Sequence, residues 1–211
     1  MSSRFSGLLA LLAGLTALLV SLPFAAAYFR AYPGYGTPPP WLPAFARAFP
    51  GLLEFAHLTR VYQVYGRTYS VIVPLTIPGL LLMKQWIGTD ARLSRWGWRI
   101  FFGGVLLFGL GVIGDYWPDP NSDWVGMGFV LELVGMLVLW SGAILYGMAA
   151  FQDDNTPRWI GGSLIGIAPG GILGMALLAH IPSGPLLAYA IFWLVLGSTQ
   201  LTEKKLEIQD E

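Results

Sequence analysis

The chain has 211 residues, 55% of them hydrophobic and 11% charged, with a mean hydropathy of +0.61; that is too little charge to cover a water-soluble surface, so a soluble globular protein is excluded. The 12 Lys and Arg balance the 12 Asp and Glu, and no basic patch rises above the membrane flanks, so there is no electrostatic footprint for a nucleic acid. With no cysteine, disulfides, thiol catalysis, S-acylation and Cys-ligated zinc or iron–sulfur clusters are excluded as well.

What remains is an all-α polytopic membrane bundle in one integral domain. Six spans are expected at about 5–27, 67–86, 98–117, 124–150, 157–180 and 185–202, with an external loop over 28–66. The first span follows Arg4 and is free of charge from Phe5 to Phe29. Its length favours a retained anchor, although Ala25-Ala26-Ala27 offers a signal-peptidase-like site, and cleavage there is the rival reading. Tyr32-Pro33-Gly34-Tyr35-Gly36 and Pro38-Pro39-Pro40 then forbid regular helix. Beyond Pro43, short amphipathic stretches carrying Arg47, Glu54, His57, Arg60 and Arg67 suit the headgroup level.

The second span is apolar from Tyr69 to Met83, which is short for a crossing, so it is expected to begin a turn or more earlier. Pro74 and Pro78-Gly79 are expected to break it. Lys84, Arg92, Arg95 and Arg99 follow among Trp86, Trp96 and Trp98, the signature of a cytoplasmic loop. In the third span, Gly109-Leu110-Gly111-Val112-Ile113-Gly114 matches G-x-G-x-x-G formally. The dinucleotide fingerprint needs a preceding strand, so close helix packing is the better reading. Asp119-x-Asn121-x-Asp123 has the first spacings of a calcium loop, but Trp124 and Val130 stand where Gly and Glu are required; Ser122 or Asp123 as an N-cap is the simpler account.

The fourth span is apolar except for Glu132. An acid in the hydrocarbon costs about 2.5–3.5 kcal/mol by insertion scales, so Glu132 is either a neutral carboxyl hydrogen-bonded between helices or part of a polar path. Thr156-Pro157 is expected to cap and start the fifth span, and Ile181-Pro182-Ser183-Gly184-Pro185 to reverse the chain into the sixth. Within the fifth, Gly162, Gly166, Gly170 and Gly174 recur every fourth residue, a small-residue stripe for helix packing, and Pro169 should bend it.

Orientation follows from the Lys and Arg distribution. A cytoplasmic N-terminus puts Arg4, Lys84, Arg92, Arg95, Arg99, Arg158, Lys204 and Lys205 inside, and leaves Arg30, Arg47, Arg60 and Arg67 in the long outer loop. Both termini are then cytoplasmic, in a bacterial or archaeal cytoplasmic membrane. Divided three and three, the halves are inverted, and Pro78-Gly79 corresponds to Pro169-Gly170, the pattern of a midplane site between repeats; the frequency of Pro and Gly in membrane helices accounts for it as well.

The function expected is non-enzymatic, a helix-packing subunit or small-solute transporter-like protein, alone in the bilayer, as a homo-oligomer or with partner helices. The alternative is a metal-dependent enzyme at the outer face using Glu54, His57, Asp115, Glu132 and His180, since Glu54-x-x-His57 has the helical spacing of half a carboxylate–histidine site. No H-E-x-x-H, G-x-S-x-G or Walker A motif supports it, and no cofactor is called for.

Overall fold

The structure, a computed structural model, describes residues 3–87, 91–119, 122–154 and 156–207. Asn121 of the acidic connection and residues 208–211 of the charged tail lie outside the described residues. The described chain is helical: α1 (Ser3–Ala31), α2 (Leu42–Ala48), α3 (Leu58–Trp86), α4 (Arg92–Tyr116), α5 (Asp123–Gln152), α6 (Arg158–Leu178) and α7 (Ser183–Glu207), with a 3-10 turn at Pro50–Leu52. All but the short α2 are long and apolar enough to cross a membrane, so the protein is a six-span bundle.

The spanning helices form a closed antiparallel ring. Each packs on its neighbour in the chain, and α7 returns to pack along α1; α3 also touches α7 across the middle. One end of the ring carries the C-termini of α1, α4 and α6 and the N-termini of α3, α5 and α7. The other end collects Lys84, Arg92, Arg95, Arg99 and Arg158, with Lys84 over the Trp98 ring and Arg99 over Trp96.

The tightest seam joins α4 and α5. Gly97, Gly104 and Gly111 on α4, and Gly128, Gly135 and Gly142 on α5, each recur at seven-residue intervals. A Cβ at Gly97 would meet the Tyr146 backbone, one at Gly104 the Leu139 backbone, and one at Gly111 the Glu132 backbone; from α5, Gly142, Gly135 and Gly128 face the backbones of Phe101, Phe108 and Asp115. A seven-residue repeat keeps one stripe facing its partner along the whole contact. With no side chain on that stripe the backbones touch, so van der Waals contact joins helices that have no hydrophobic drive to associate in lipid. The α1–α7 seam uses the same device, with Gly7, Gly14 and Gly197 against the opposing backbone and Ala10, Ala13 and Ala17 fully buried.

Several boundaries differ from expectation. α3 begins at Leu58, because a helix whose first turns carry Arg60, Gln63 and Arg67 lies partly above the hydrocarbon and does not register as an apolar span. α3 also stays one helix through Pro74 and Pro78, as α6 does through Pro169. Each proline removes a single donor, and the hydrogen-bond ladder resumes beyond it. Ser122 caps α5, its Oγ accepting from the Trp124 N–H at 3.3 Å. Thr156 does not cap α6; its hydroxyl lies 3.0 Å from the Trp86 carbonyl oxygen and 2.9 Å from the Asp153 carboxylate, tying two loops together.

The connection between α1 and α3 is anchored at three points. The Trp41 indole donates to the Leu177 carbonyl at 2.9 Å, the Tyr65 hydroxyl to the Leu52 carbonyl at 2.7 Å, and Arg30 pairs with Glu54 at 3.2 Å.

The seam yields a paired expectation. Gly104→Ala forces a methyl into the α5 backbone and lowers stability by about 1–3 kcal/mol, whereas Gly103→Ala, on the neighbouring face with nothing within 4 Å, is neutral or slightly stabilising. Unfolding of the two variants by heat or by SDS in mixed micelles measures the difference.

Candidate functional site

At the end of the ring where α1, α4 and α6 finish lies an open cleft of about 680 Å³. Tyr28 and Tyr32 from the end of α1 and the turn after it, Tyr62 from α3, and Gly34 to Gly36 form one part of its wall. Asp115 of α4 and Gly126 and Phe129 of α5 form another, and the α6–α7 turn supplies His180. The volume is that of a small-molecule pocket, and aromatic rings with a few polar groups are the usual lining of one.

The tyrosines are held in mutual contact. Ring centroids are 5.6 Å apart for Tyr28 and Tyr32, 5.5 Å for Tyr32 and Tyr62, and 5.7 Å for Tyr28 and Tyr62. Beneath them Phe24 of α1 packs on Tyr62, Tyr116 and His180 at 5.2, 5.5 and 5.1 Å. Asp115 is half-buried and makes no ion pair among the described residues. Tyr32 keeps its phenolic proton well into the alkaline range: burial raises its pKa, and the neighbouring Asp115 carboxylate and Tyr28 raise it further.

His180 is 4% exposed and forms part of the cleft floor. Ala179, with φ of 52°, turns the chain sharply after α6 and delivers the imidazole inward. Nδ1 shares a hydrogen bond with Ser183 Oγ at 2.6 Å, Nε2 approaches the Tyr62 hydroxyl at 3.4 Å, and the ring stacks on Tyr28 at 4.6 Å. Burial lowers its pKa to about 3, so the imidazole is neutral at physiological pH.

Below the floor stands Glu132. It is 3% exposed and one helical turn deeper than Phe129 on the same face of α5. The hydroxyls of Tyr62 and Tyr116 lie 3.3 Å apart, and the carboxyl is within electrostatic reach of both, of Tyr69 and of Asp115. Glu132 Oε2 has no hydrogen-bond partner among the described residues. Deeper still, a cavity of about 20 Å³ between α3, α4, α5 and α7 is lined by Tyr69, Thr76, Phe108, Tyr189 and Trp193 among others. The hydroxyls of Tyr69 and Tyr189 and the Trp193 indole N–H there are also unpartnered.

Of the residues singled out from the sequence, the structure therefore brings Asp115 and His180 to one cleft, with Glu132 beneath. Glu54 is exposed and paired with Arg30, and His57 is exposed with Nδ1 3.0 Å from Thr59 Oγ1. Among the described residues no three His, Cys, Asp or Glu side chains are placed to share an ion, so the five do not form a metal site. Gly79 lies against Trp193 and Ala10, and Gly170 against Ala188, so the segments at Pro78 and Pro169 both border α7. In the glycine stripe of α6, Gly174 meets the Gly184 backbone, while Gly162 approaches only Phe151 at 3.8 Å and Gly166 has nothing within 4 Å. Sequence reasoning missed Tyr28, Tyr32, Tyr62 and Tyr116, which each look like an interfacial tyrosine until the ring closes.

The chain is similar in sequence to bacterial membrane proteins. The chain is 31% identical over 144 residues to a UPF0756 membrane protein of Histophilus somni (strain 2336), covering 64% of this chain and 87% of that protein. It is 32% identical over 142 residues to a UPF0756 membrane protein of Actinobacillus succinogenes, covering 64% and 86% respectively. No family model and no solved structure matches the chain. With six apolar helices and these relatives, it is an integral, multi-pass protein of the cytoplasmic membrane.

The buried His180 gives the protein a defined acid response. In the unfolded chain its imidazole takes up a proton below about pH 6.5, whereas in the folded protein it does so only at about 3. Between those values the unfolded state binds more protons, so stability is full above the window and falls as pH falls through it. Lowering the pH from neutral to about 5 costs up to about 2 kcal/mol through this residue. His180→Asn removes that component, which unfolding curves of both proteins at the two pH values measure.

Proposed function

The chain belongs to the UPF0756 membrane protein family, and from that premise we propose that the bundle is a transporter-like protein that takes a small organic cation into its tyrosine-lined cleft. The observation that carries this reading is the pairing of three tyrosines in mutual contact with an unpaired carboxylate, Asp115, around one open cleft. Aromatic faces attract a cation through their quadrupole, most strongly one with little hydration to lose, such as a quaternary ammonium. Asp115 supplies the countercharge, and the neutral His180 adds a polar contact without repelling the ligand. An anionic solute meets no cationic side chain among the residues that line the cleft.

The distribution of Lys and Arg supports an orientation in which the cleft faces outward. The opposite end of the ring carries Lys84, Arg92, Arg95, Arg99 and Arg158, as a cytoplasmic face does. The open stretch of α6 around Gly162 and Gly166 is the surface on which a homo-oligomer or a partner helix would pack.

Choline and its uncharged isostere 3,3-dimethylbutan-1-ol separate charge from shape. Choline binding to the purified protein in nanodiscs, followed by calorimetry, is expected at least tenfold tighter than that of the alcohol, a difference of about 1.4 kcal/mol. Asp115→Asn and Tyr32→Leu each weaken choline by a similar factor without affecting the alcohol. Equal binding of the two ligands, or choline binding unchanged in Asp115→Asn, overturns the reading.

A further inference from the structure

We propose that Glu132 is an exchangeable proton-binding site reached from the cleft through the hydroxyls of Tyr62 and Tyr116, and that occupation of the cleft by a cation drives its proton out. The first part stands on the geometry around Glu132; the coupling rests on the cation reading above.

Packing alone does not account for Glu132. Its Oε2 is buried and unpartnered, although an interhelical carboxyl retained for structure is expected to satisfy both oxygens. Its surroundings are hydroxyl-rich instead of apolar. The charged and titratable groups that face it are Tyr62 and Tyr69 from α3 and Asp115 and Tyr116 from α4, with Tyr189 of α7 behind Tyr69 and His180 behind Tyr62. The nearby guanidinium, Arg67, is turned to the Tyr116 carbonyl oxygen at 3.0 Å and the Trp117 ring at 5.4 Å. No cationic side chain meets the carboxyl among the described residues.

The route outward is short. Tyr62 lines the cleft, and its hydroxyl is 3.3 Å from that of Tyr116. At rest the carboxyl makes no hydrogen bond to either hydroxyl, so the Glu132 side chain turns onto Tyr116 before transfer; each hydroxyl then accepts one proton and gives up its own, so both remain neutral while one proton passes from Glu132 to the cleft. The link to ligand is electrostatic. Asp115 and Glu132 are close enough to interact, and two neighbouring carboxyls resist ionising together. A cation against Asp115 removes that resistance, so cation binding and proton binding oppose one another, the thermodynamic requirement for exchange of one for the other.

Infrared difference spectroscopy of the full chain in nanodiscs tests this, because the C=O stretch of a protonated carboxyl stands apart from that of a carboxylate. The expected result is a protonated-carboxyl band that disappears at alkaline pH, is absent from Glu132→Gln, and is also removed by tetramethylammonium chloride but not by sodium chloride, with a proton released to the medium. Tyr116→Phe keeps the ring and Glu132 and slows the deuterium shift of the band. A Glu132 band that neither exchanges with deuterium nor changes with pH marks a sealed structural carboxyl and overturns the proposal, whatever the cleft binds. A band that titrates and exchanges while tetramethylammonium fails to bind upholds the proton site and removes the cation reading. Binding of tetramethylammonium with no loss of the band overturns the coupling and leaves the cation site standing.

Discussion

Backbone contact between α4 and α5 is the constraint on which the rest of the molecule depends. Six glycines at seven-residue spacing let two helices meet with no side chain between them, and any Cβ on that line would strike the opposing main chain. The same contact positions the chemistry. Glu132 stands opposite Gly111, and Asp115 opposite Gly128, so both acids sit where the two backbones of the seam touch. A carboxyl on a loosely packed helix can turn toward lipid or snorkel toward water; on a helix clamped by its backbone it stays where the interior needs it.

The cleft above is assembled differently, from aromatic side chains instead of missing ones. Phe24 of α1 provides the hub, which α3, α4 and the α6–α7 turn reach through Tyr62, Tyr116 and His180. Its floor can therefore be polar at the hydroxyls and the imidazole while remaining packed. A rigid glycine seam on one side and an aromatic cluster on the other together make a site whose acidic wall is fixed and whose tyrosine wall belongs to the end of α1 and the loop after it.

Much of the architecture is legible in the sequence because lipid imposes a blunt rule: about twenty apolar residues per helix, with polar residues at the ends. Glu132 is conspicuous for the same reason, as the one acid within the apolar stretch 124–150. The start of α3 is not legible, since Arg60, Gln63 and Arg67 hide a helix that is continuous with the span below. Nor are the tyrosines, which come from three helices and a turn and acquire meaning only from proximity. The glycines are the instructive case. The four-residue stripe of α6 and the seven-residue stripes of α4 and α5 are equally plain in the letters, yet only the latter lie against a backbone along their whole length. Spacing identifies a smooth face; what covers that face is decided by the neighbours that the chain supplies.

Closure of the ring by α1 on α7 has a consequence for biogenesis. The α4–α5 hairpin is local and can form as soon as both helices have left the translocon, but α1 has no permanent neighbour on its other side until α7 is made. The wall of the inner cavity that carries Tyr189 and Trp193 comes from α7, so the interior is enclosed on that side only once α7 packs on α1. The ring is thus left open by its own topology until α7 turns a row of hairpins into an enclosed interior.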